Sequence, residues 1–571
     1  MRHVSPGRGI PPPAGPTVTC PHGPIGIPRI QYGRNRVICT LYSAAAMNIL
    51  LLSMPDSFEH MAPVAVRMPN GALTSLAGNV DGHHRVAVAD LILAQGRVLP
   101  TVERLLASHA PDVVGLSVMT FQRHTALRLV GHIRQRRPDI RVVVGGYDPS
   151  LAPEAYAEPS TGVDAVVRGE GEVTFKEYLR ALDAGEAAMP AVPGLSWRGA
   201  DGRMTHNPDR PVSRLRRGEL ALPARGARVL SGYTMLGRQV DVVETSRGCT
   251  FDCSFCSIIE MRGRNFHAFD LDRVLADIAD ARSHGARTIF LVDDNITLDV
   301  GRFMALCRAI VEAGLDELDY IVQAMTSSIA QHGDVLAPLM RRAGFRYVFL
   351  GIENVLADDL AFLRARAKNI RRQAGRAVGN AALDAVRHLH RHGMYVVGGL
   401  IVGNPDDTAE AIETNLAFAR EHVDWPYIQH PTPYPRTPMT RDFRERGLIV
   451  SEALEEYDGT TAVVRTAHMD ADEVEFRRWR AERSMKARHM PAAFRHDPVY
   501  VLRHARRMFA HTFRGMSWKT WVGLEPERAA FARYKALRRR EREYVPAPVI
   551  DRTAPRDFPR RSAPLRPAST T

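Results

Sequence analysis

Long hydrophobic runs are missing from this chain of 571 residues. No stretch of about 18 apolar residues occurs, so a transmembrane helix is not expected. Residues 1–6 also lack the apolar core of a signal peptide. With 45% hydrophobic and 24% charged residues, the composition is that of an ordinary globular protein. We therefore expect a cytoplasmic protein of roughly three or four domains.

Acidic residues are absent from residues 1–46, which hold five arginines. They are also few in residues 551–571, which hold five arginines and two aspartates. These two tails supply most of the net charge of +13, and no aromatic and basic RNA-reading motif occurs elsewhere. We therefore expect no nucleic-acid partner. The Pro-rich and Gly-rich composition predicts disorder in residues 1–46 and 546–571.

Cysteines are few, six in total, but three stand together in residues 241–261, DVVETSRGCTFDCSFCSIIEM. Cys249, Cys253 and Cys256 have C-x3-C-x2-C spacing, and the preceding S-R-G turn favours a loop that can wrap three thiolates round one centre. Structural zinc normally takes four protein ligands, and no fourth Cys or His stands at finger-like spacing. A [4Fe–4S] cluster held by three cysteines leaves one iron open to a ligand that is not protein. The loop predicts iron–sulfur chemistry, with a non-catalytic zinc-binding module as the alternative.

This loop, with Phe255 just before the last cysteine, resembles the signature loop of the radical S-adenosylmethionine (SAM) enzymes. The resemblance implies that Cys249, Cys253 and Cys256 hold a [4Fe–4S] cluster whose open iron chelates the amino and carboxylate groups of SAM. It also implies that the backbone of Phe255 lies along the adenine. An electron donor such as flavodoxin or ferredoxin is expected as a partner.

Residues 47–185 alternate strand-like and helix-like runs, which favours a doubly wound, Rossmann-like parallel sheet. Ligands of such sheets bind beyond the carboxyl ends of the strands, which indicates the loops at 53–63, 117–120 and 145–149, with Ser117, Gly145 and Gly146 as candidate residues. The two glycines let the backbone approach a ligand, although a tight strand-to-helix turn would use them equally well. Strands are predicted at 49–53, 86–92, 113–118, 141–146 and 164–167, and helices at 98–109, 125–136, 149–157 and 171–184.

The G-G-Y-D-P turn at 145–149 and the V-R-G-E-G-E run at 167–172 resemble the cobalamin-binding domain found ahead of many radical SAM barrels. The resemblance implies a cobalamin cofactor near Ser117, Gly145 and Gly146. The D-x-H-x-x-G motif that ligates cobalt in other cobalamin proteins is absent, since D-G-H at 81–83 matches only its start. His83 and His84 are therefore predicted to be ordinary loop residues. Within this family, cobalamin is commonly bound with no protein histidine on cobalt.

Residues 241–450 repeat six strand and helix units, which predicts a partial (β/α)6 barrel with its chemistry at the carboxyl ends of the strands. Strands after the cysteine loop are predicted at 288–292, 320–325, 347–350, 395–402 and 425–429, and helices at 271–284, 302–313, 336–343, 381–392 and 408–421. Cys307 lies on an apolar helical face and is predicted to be a core residue.

Polar groups follow three of these strands. In a purely structural interpretation, Asp294 caps a helix, and Gly399 avoids a steric clash where the strand packs against its neighbours. Their order after the cysteine loop, however, resembles the radical SAM segments that meet the amino group, the ribose and the adenine of SAM. The resemblance implies those roles for Asp293 with Asp294, for Glu353, and for Gly399 with Asn404.

The T-P-Y-P turn at 432–435 matches a T-P-Y-P-G-T turn of the cobalamin-associated branch, except that Arg436 replaces glycine. Position 436 is therefore predicted not to adopt positive φ, and Arg436 is predicted to face the substrate.

Residues 186–240 are predicted to be a connector with hairpin-like turns, and residues 451–545 a helical region without cysteine. Cationic residues in the helical region alternate with apolar ones, and among them are Trp518 and Trp521. Two interpretations stay open: an ordinary amphipathic face, or an interfacial segment that contacts a membrane and reaches a lipid substrate. The cations are Arg503, Arg506, Arg507, Arg514 and Lys519.

Together these features predict a cobalamin-dependent radical SAM enzyme, most simply a C-methyltransferase acting on a small-molecule or lipid-like substrate. Its layout resembles that of the hopanoid methylases. The resemblance implies that a 5′-deoxyadenosyl radical abstracts hydrogen from an unactivated carbon, which then takes methyl from methylcobalamin. The first alternative keeps these cofactors and changes the reaction to a cyclisation or rearrangement. The second is the zinc-binding module.

Overall fold

The computed structural model describes residues 29–33, 36–40, 46–58, 66–373 and 376–548. In the amino-terminal segment, Arg29–Gly33 pairs antiparallel with Arg36–Thr40. Most of residues 1–46 and 546–571, for which disorder is predicted, lie outside the described residues.

The first predicted domain is a seven-stranded sheet with the strand order β7-β6-β5-β4-β3-β1-β2. Strands β1 to β5 are parallel, and β1 lies between β2 and β3. Such a reversal of strand order marks the place where doubly wound sheets bind their ligands. The strands are β1 Asn48–Ser53, β2 Arg85–Asp90, β3 Val113–Ser117, β4 Arg141–Gly145, β5 Ala165–Val167, β6 Leu195–Arg198 and β7 Met204–His206.

Helices cover both faces of this sheet, because its central strands are apolar on both sides. In β1, N-I-L-L-L-S, all residues but the first are buried. Helices α2 and α3 contribute to the core on one face, and α1 and α5 to the core on the other. The doubly wound fold is thereby confirmed. The helices are α1 Gly71–Asn79, α2 Val98–His109, α3 Arg123–Arg136, α4 Tyr147–Leu151 and α5 Gly171–Ala184.

The second domain is a curled sheet whose main part has the order β13-β12-β11-β10-β9-β8. All six strands are parallel, which confirms the six-unit partial barrel. The strands are β8 Arg238–Val243, β9 Thr288–Leu291, β10 Asp319–Met325, β11 Phe345–Glu353, β12 Tyr395–Ile401 and β13 Trp425–Gln429. The helices are α6 Ile258–Arg262, α7 Leu271–Ser283, α8 Val300–Glu312, α9 Thr326–Arg342, α10 Ala357–Phe362, α11 Arg366–Asn369, α12 Ala382–Arg391, α13 Ala409–His422 and α14 Pro438–Glu445.

The connector is more ordered than a simple link. Strand β6 pairs antiparallel with β5, and β7 with β6, so the predicted hairpin extends the first sheet. Thr234–Met235 pairs both with the start of β8 and with Val66–Arg67. A segment that precedes α1 therefore forms an edge of the barrel sheet.

Alternate residues of the barrel strands face opposite sides. The outward set, with Cys307 from α8, forms one large core against the surrounding helices, so Cys307 is a core residue as predicted. Some inward positions, such as Val240 and Ile321, form a smaller buried cluster, whereas others retain exposed surface. Gln323 is exposed in the middle of β10, although β9 and β11 flank that strand, and its register neighbour Phe349 is partly exposed.

The carboxyl-terminal region is helical, as predicted, and packs along the barrel. Trp479 of the first long helix lies in a small core with Phe531 and Tyr534 of the last. No helix in the described residues is long and apolar enough to cross a membrane. The helices are α15 Ala471–His496, α16 Pro498–Thr512, α17 Trp518–Trp521 and α18 Glu527–Glu541.

Candidate active site

The three clustered cysteines lie on the loop that leaves the carboxyl end of β8. The loop turns sharply at Gly248, which has φ +89°; a Cβ there would stand 2.4 Å from the Asn265 carbonyl oxygen. All three thiols are free; Cys253 is buried, and Cys249 and Cys256 are half-buried. Sequence thus places glycine where only glycine fits, directly before the first thiol.

The thiols have the chemistry and the spacing that suit an iron–sulfur cluster. Burial raises the pKa of Cys253 to about 12 and of Cys256 to about 11, so both are protonated until a metal binds. A tetrahedral zinc ion with bonds of about 2.3 Å needs sulfurs about 3.8 Å apart. The three Sγ atoms do not all lie within 4.8 Å of one another. The three thiols are therefore not preset for a single tetrahedral zinc ion.

Asp293 and Asp294 follow β9 and face different surroundings. Asp293 is buried and accepts hydrogen bonds from the Thr245 backbone N–H, at 2.7 Å, and from the Thr245 and Ser246 hydroxyls, so it ties the end of β9 to the end of β8. Asp294 accepts one bond from Gly248 N, at 2.7 Å, and is only half-buried. Asp294 is therefore the better placed of the two predicted carboxylates to meet a ligand at the cysteine loop.

Glu353 ends β11 in the left-handed region, with φ +59°. The Lys368 ammonium donates to its carboxylate at 2.7 Å and lies 6.0 Å from the centre of the Phe255 ring. Although burial opposes it, the negative charge of Glu353 holds the pKa of Lys368 above its usual range. A permanent positive charge therefore stands beside the cysteine loop. The sequence reasoning missed Lys368, because no motif marks it.

Gly399 and Asn404 lie at the end of β12. A Cβ on Gly399 would approach the Phe349 ring to 2.9 Å, so a larger residue there would require that ring to shift. Asn404 is buried, and its amide makes no hydrogen bond of good geometry, although it lies close enough to the Asp359 carboxylate to act against the rise in the pKa of that group. Such an amide retains a donor and an acceptor that suit the edge of a purine.

The predicted cobalamin residues lie at the carboxyl ends of β3 and β4. Ser117 Oγ accepts a hydrogen bond from Asn70 Nδ2 at 3.1 Å. Gly146 has φ +104°, and a Cβ there would stand 2.8 Å from the Val118 carbonyl oxygen, so the fold itself requires glycine. A Cβ on Gly145 would make only ordinary van der Waals contact, 3.4 Å from the Val167 carbonyl oxygen, so the fold itself does not require glycine at this position.

His83 and His84 lie at the other end of the same sheet. The Met47 N–H, just ahead of β1, donates to His84 Nδ1 at 3.2 Å, and the His83 and His84 rings lie with centroids 3.9 Å apart at a tilt of 45°. Ligand atoms of His83, His84 and Asp183 lie within 4.8 Å of one another. That these histidines are ordinary loop residues therefore stays a prediction. Part of the loop after β1, residues 59–65, lies outside the described residues. The expectation that cobalt receives no protein nitrogen therefore stays a prediction.

The carboxyl ends of the two sheets face one another. Arg247, two residues before the first clustered cysteine, donates to Glu172 of α5 at 2.6 Å and to Glu244 at 2.7 Å. Helix α4, which carries Tyr147, contacts α6 just after the cysteine loop. Burial, and then the charge of Asp294, raise the pKa of Tyr147. The doubly wound domain thus presents its ligand edge to the mouth of the barrel.

One prediction about this region is wrong. Arg436 adopts positive φ, +66°, and is exposed, with its guanidinium 3.8 Å from the Glu154 carboxylate of the first domain. The turn is closed by the Thr437 N–H, which donates to the Tyr434 carbonyl at 3.2 Å. A non-glycine residue in this region costs about 1–2 kcal/mol, which the closed turn absorbs.

Two regions of the chain match models of known families. Residues 61–179 match the B12 binding domain, and residues 243–419 match the radical SAM superfamily. The two matches fall on the doubly wound domain and on the barrel, with the cysteine loop inside the second.

Three curated relatives span most of the chain. An uncharacterized methyltransferase of Pyrococcus horikoshii is 28% identical over 430 residues, which cover 75% of this chain and 90% of the relative. The anaerobic magnesium-protoporphyrin IX monomethyl ester cyclase of Rubrivivax gelatinosus is 26% identical over 441 residues, 75% of each chain. The hopanoid C-3 methylase of Methylococcus capsulatus is 28% identical over 386 residues, 62% of this chain and 69% of the relative.

Two solved structures share the fold. The radical SAM methyltransferase TsrM of Kitasatospora setae, with cobalamin and a [4Fe–4S] cluster bound, has a TM-score of 0.56 at 19% identity, over 70% of this chain and 78% of that one. The cobalamin-dependent SAM radical enzyme OxsB, with aqua-cobalamin and SAM bound, has a TM-score of 0.60 at 15% identity, over 90% and 79%. At these identities, the likeness concerns the fold.

Proposed function

This chain belongs to the radical SAM enzymes that carry an amino-terminal B12-binding domain, and from that premise we propose that it transfers a methyl group to a carbon atom of its substrate. The chain is an enzyme with cobalamin, a [4Fe–4S] cluster and SAM as its cofactors. When bound, the cluster and SAM supply a 5′-deoxyadenosyl radical that abstracts hydrogen, and cobalamin supplies the methyl group.

The residue roles follow from the geometry of the strand ends. We assign the cluster to Cys249, Cys253 and Cys256, the three free thiols of one loop. The adenine edge is assigned to Asn404, whose buried amide makes no hydrogen bond of good geometry, and to Gly399 at the same strand end.

The other contacts to SAM and cobalamin are assigned on the same basis. Asp294 receives the amino group of SAM, with Asp293 holding its strand end in place, and Glu353 receives the ribose. The Phe255 backbone flanks the adenine. The corrin is assigned to the edge formed by Ser117, Gly145 and Gly146, where the fold itself does not require the glycine at position 145.

One observation carries the proposal: both sheets turn their carboxyl ends to the same junction, where Arg247 bonds Glu172 at 2.6 Å. A methyl donor and a radical generator must act on one substrate carbon, so their binding edges must be neighbours. Tyr147, on α4 of the B12-binding domain, lies near enough to Asp294 of the radical SAM domain for that carboxylate to raise its pKa. That arrangement supports methyl transfer to a substrate held where the two binding edges meet.

A second reaction remains open on the same scaffold. The relative in Rubrivivax gelatinosus is a cyclase, and it matches this chain over 75% of its residues. A cyclisation uses the same radical step and leaves no new methyl group in the product. The isotope content of the product therefore separates the two reactions.

The partners are proposed on chemical grounds. The substrate is a small or lipid-like molecule, and Gln323, exposed within the barrel interior, offers it an uncharged amide. An external one-electron donor, such as flavodoxin or ferredoxin, reduces the cluster. The cytoplasm is proposed as the compartment, because an oxygen-sensitive thiolate cluster needs reducing conditions. The carboxyl-terminal helices are proposed to make peripheral contact with a membrane.

The deciding experiment compares metabolites of the parent strain and a deletion strain, and then supplies the missing substrate to anaerobically reconstituted enzyme with SAM labelled in its methyl group. We expect the label in the product, together with 5′-deoxyadenosine. A product without label, formed with 5′-deoxyadenosine, would establish the cyclase alternative. One tightly bound zinc and no iron by elemental analysis would establish the zinc-binding module.

A further inference from the structure

Exposed apolar side chains are concentrated at one place in the carboxyl-terminal region. Eleven large apolar side chains are exposed in the described part of the chain, and seven of them belong to residues 499–524. Leu502 and Leu524 are each 70% exposed, and Trp518 is 66% exposed. Concentrated exposure of this kind marks an interaction site, whereas single exposed apolar residues are normal. We call this face of α16 and α17 the α16–α17 surface.

The α16–α17 surface has a defined shape. The rings of Phe509 and Trp521 stack with centroids 6.1 Å apart, and each lies against Phe513 with centroids 4.7 Å apart. Phe509 and Trp521 are nevertheless 58% and 53% exposed. The aromatic cluster therefore joins the two helices and still presents its outer side to solvent.

The same surface is cationic. Residues 498–524 contain five arginines and lysines and no acidic residue. Arg503, Arg506, Arg507 and Lys519 are exposed, and none of them forms an ion pair or side-chain hydrogen bond with any residue that the structure describes. Because no ion pair within the described residues neutralises them, these four cations are available to an external anion.

We infer that the α16–α17 surface binds an anionic lipid bilayer, with Trp518, Trp521 and Leu524 inserted at the headgroup level and the arginines of α16 over the lipid phosphates. Tryptophan prefers the membrane interface, and arginine and lysine are attracted to anionic lipid. A short amphipathic element with a cationic rim lies in the interface plane and does not span it. The inference deepens the proposed peripheral contact by naming the residues and the lipid charge.

Other occupants fit the surface less well. A second copy of the chain would bring four unpaired cations against the same four, which is repulsive. Nucleic acid would satisfy the cations but would leave the exposed Leu502, Val522 and Leu524 in water. An acidic electron-transfer protein is the remaining competitor, and the test includes it.

The test is sedimentation of the anaerobically reconstituted full chain with vesicles of phosphatidylcholine alone or mixed with phosphatidylglycerol. We expect the chain to pellet with the anionic vesicles, and less so at high salt. The emission of Trp518 and Trp521 should shift to the blue, and this shift should disappear in the variant with Trp518→Phe and Trp521→Phe. The triple variant Arg503→Gln, Arg506→Gln and Arg507→Gln should weaken partitioning on the order of 100-fold, from roughly fivefold per cation.

A matched variant controls for net charge. Arg308, Arg341 and Arg342 are exposed arginines of α8 and α9 with no ion pair among the described residues, so changing all three to glutamine removes the same charge elsewhere. We expect that variant to partition as the parent does. Each variant should keep its iron content and its activity without lipid, which separates failure of this inference from failure of methyl transfer.

Three outcomes would overturn the inference. The parent could stay in the supernatant with anionic vesicles. The α8 and α9 control could lose as much binding as the α16 variant, which would show attraction by net charge alone. Addition of an acidic ferredoxin could displace the chain from vesicles through a complex that the α16 variant fails to form, which would assign the surface to the electron donor.

Discussion

The guanidinium of Arg247 donates to the carboxylate of Glu172 at 2.6 Å, and this buried pair joins the B12-binding domain to the barrel two residues before the cluster loop. Burial opposes ionisation of Glu172, but Arg247 lowers its pKa to about 2. The carboxylate is therefore charged at every pH at which the enzyme works. Such a pair holds two binding edges in register, although it adds little net stability.

Breaking the pair from one side should destabilise the chain strongly. Arg247→Met or Glu172→Gln should each cost about 3–5 kcal/mol, because a buried charge or dipole is left without its partner. The double variant should cost less than the sum, and a double-mutant cycle by urea unfolding measures the difference. The exposed Arg341→Met serves as the control. Strict additivity would show that the two side chains do not act together.

The cluster prediction has an internal control. Cys249→Ala, Cys253→Ala and Cys256→Ala should each abolish the visible iron–sulfur absorbance and all SAM cleavage, because each removes one of three thiolate ligands. Cys307→Ala should keep both, since Cys307 is buried in the barrel core away from the loop. Full SAM cleavage by any of the three loop variants would contradict the assignment.

Lys368 should tune the cluster electrostatically. Its ammonium bonds Glu353 at 2.7 Å and lies near Cys253, so it favours the extra electron of the reduced cluster. Lys368→Met should therefore lower the reduction potential by tens of millivolts with unchanged iron content, whereas Lys368→Arg should keep it near the parent value. Redox titration followed by electron paramagnetic resonance measures both. An unchanged potential in the methionine variant would remove Lys368 from this role.

The sequence predicted the architecture well, because periodicity reports burial and both sheets are regular. The bounds of α2, α5 and β13 match the predictions, and all six barrel strands were found. Helix α1 was missed, since its G-A-L-T-S-L-A-G-N run contains two helix-weakening glycines. It forms through an Asn70 cap, with Leu73 buried against the sheet.

The site was predicted where motifs are local and missed where contacts are distant. Cys249, Cys253 and Cys256 are close in sequence, so their spacing was informative. Lys368 and the helix that carries Tyr147 both approach the cysteine loop from remote segments, and only the fold brings them there. The sequence could have indicated Gln323 as a site residue, since it is a lone polar residue within the apolar run of β10.

Asp56 should make stability depend on pH. It follows β1 and accepts a hydrogen bond from Thr125 at 2.8 Å, while its Oδ2 has no partner among the described residues. Burial raises its pKa from 3.8 to about 7. Between these values the folded state binds more protons than the unfolded chain, so stability falls as the pH rises through this window and levels off above about 7.

Asp56→Asn should remove that dependence. From pH 5 to pH 8 the cofactor-free parent should lose about 2–3 kcal/mol more than the variant, and the two should converge at low pH. Urea unfolding at several pH values measures the difference. Parallel curves for the two proteins would show that Asp56 is already ionised in the fold.

The cobalamin edge can be tested because its two glycines differ. Gly146→Ala would place a Cβ 2.8 Å from the Val118 carbonyl oxygen at φ +104°, so this variant should be destabilised with or without cofactor. In Gly145→Val the new Cβ contacts nothing closer than 3.4 Å. That variant should fold and keep its cluster, yet fill the space that the corrin or its nucleotide tail needs. Only Gly145→Val therefore reports on binding itself.

The last prediction concerns cobalamin uptake by three proteins. The parent should bind about one cobalamin per chain, Gly145→Val should bind far less at equal iron content, and His83→Ala should bind as the parent does. His83 lies at the amino end of the sheet, away from the proposed corrin edge, so the cob(II)alamin resonance should show no nitrogen coupling that depends on it. If the parent shows nitrogen coupling and His83→Ala loses it, cobalt lies at the amino end of this sheet, opposite to the proposed corrin edge. Full uptake by Gly145→Val would show that the corrin does not lie at the β4 edge. No uptake by the parent would show that the domain has a generic nucleotide-type fold that does not bind cobalamin.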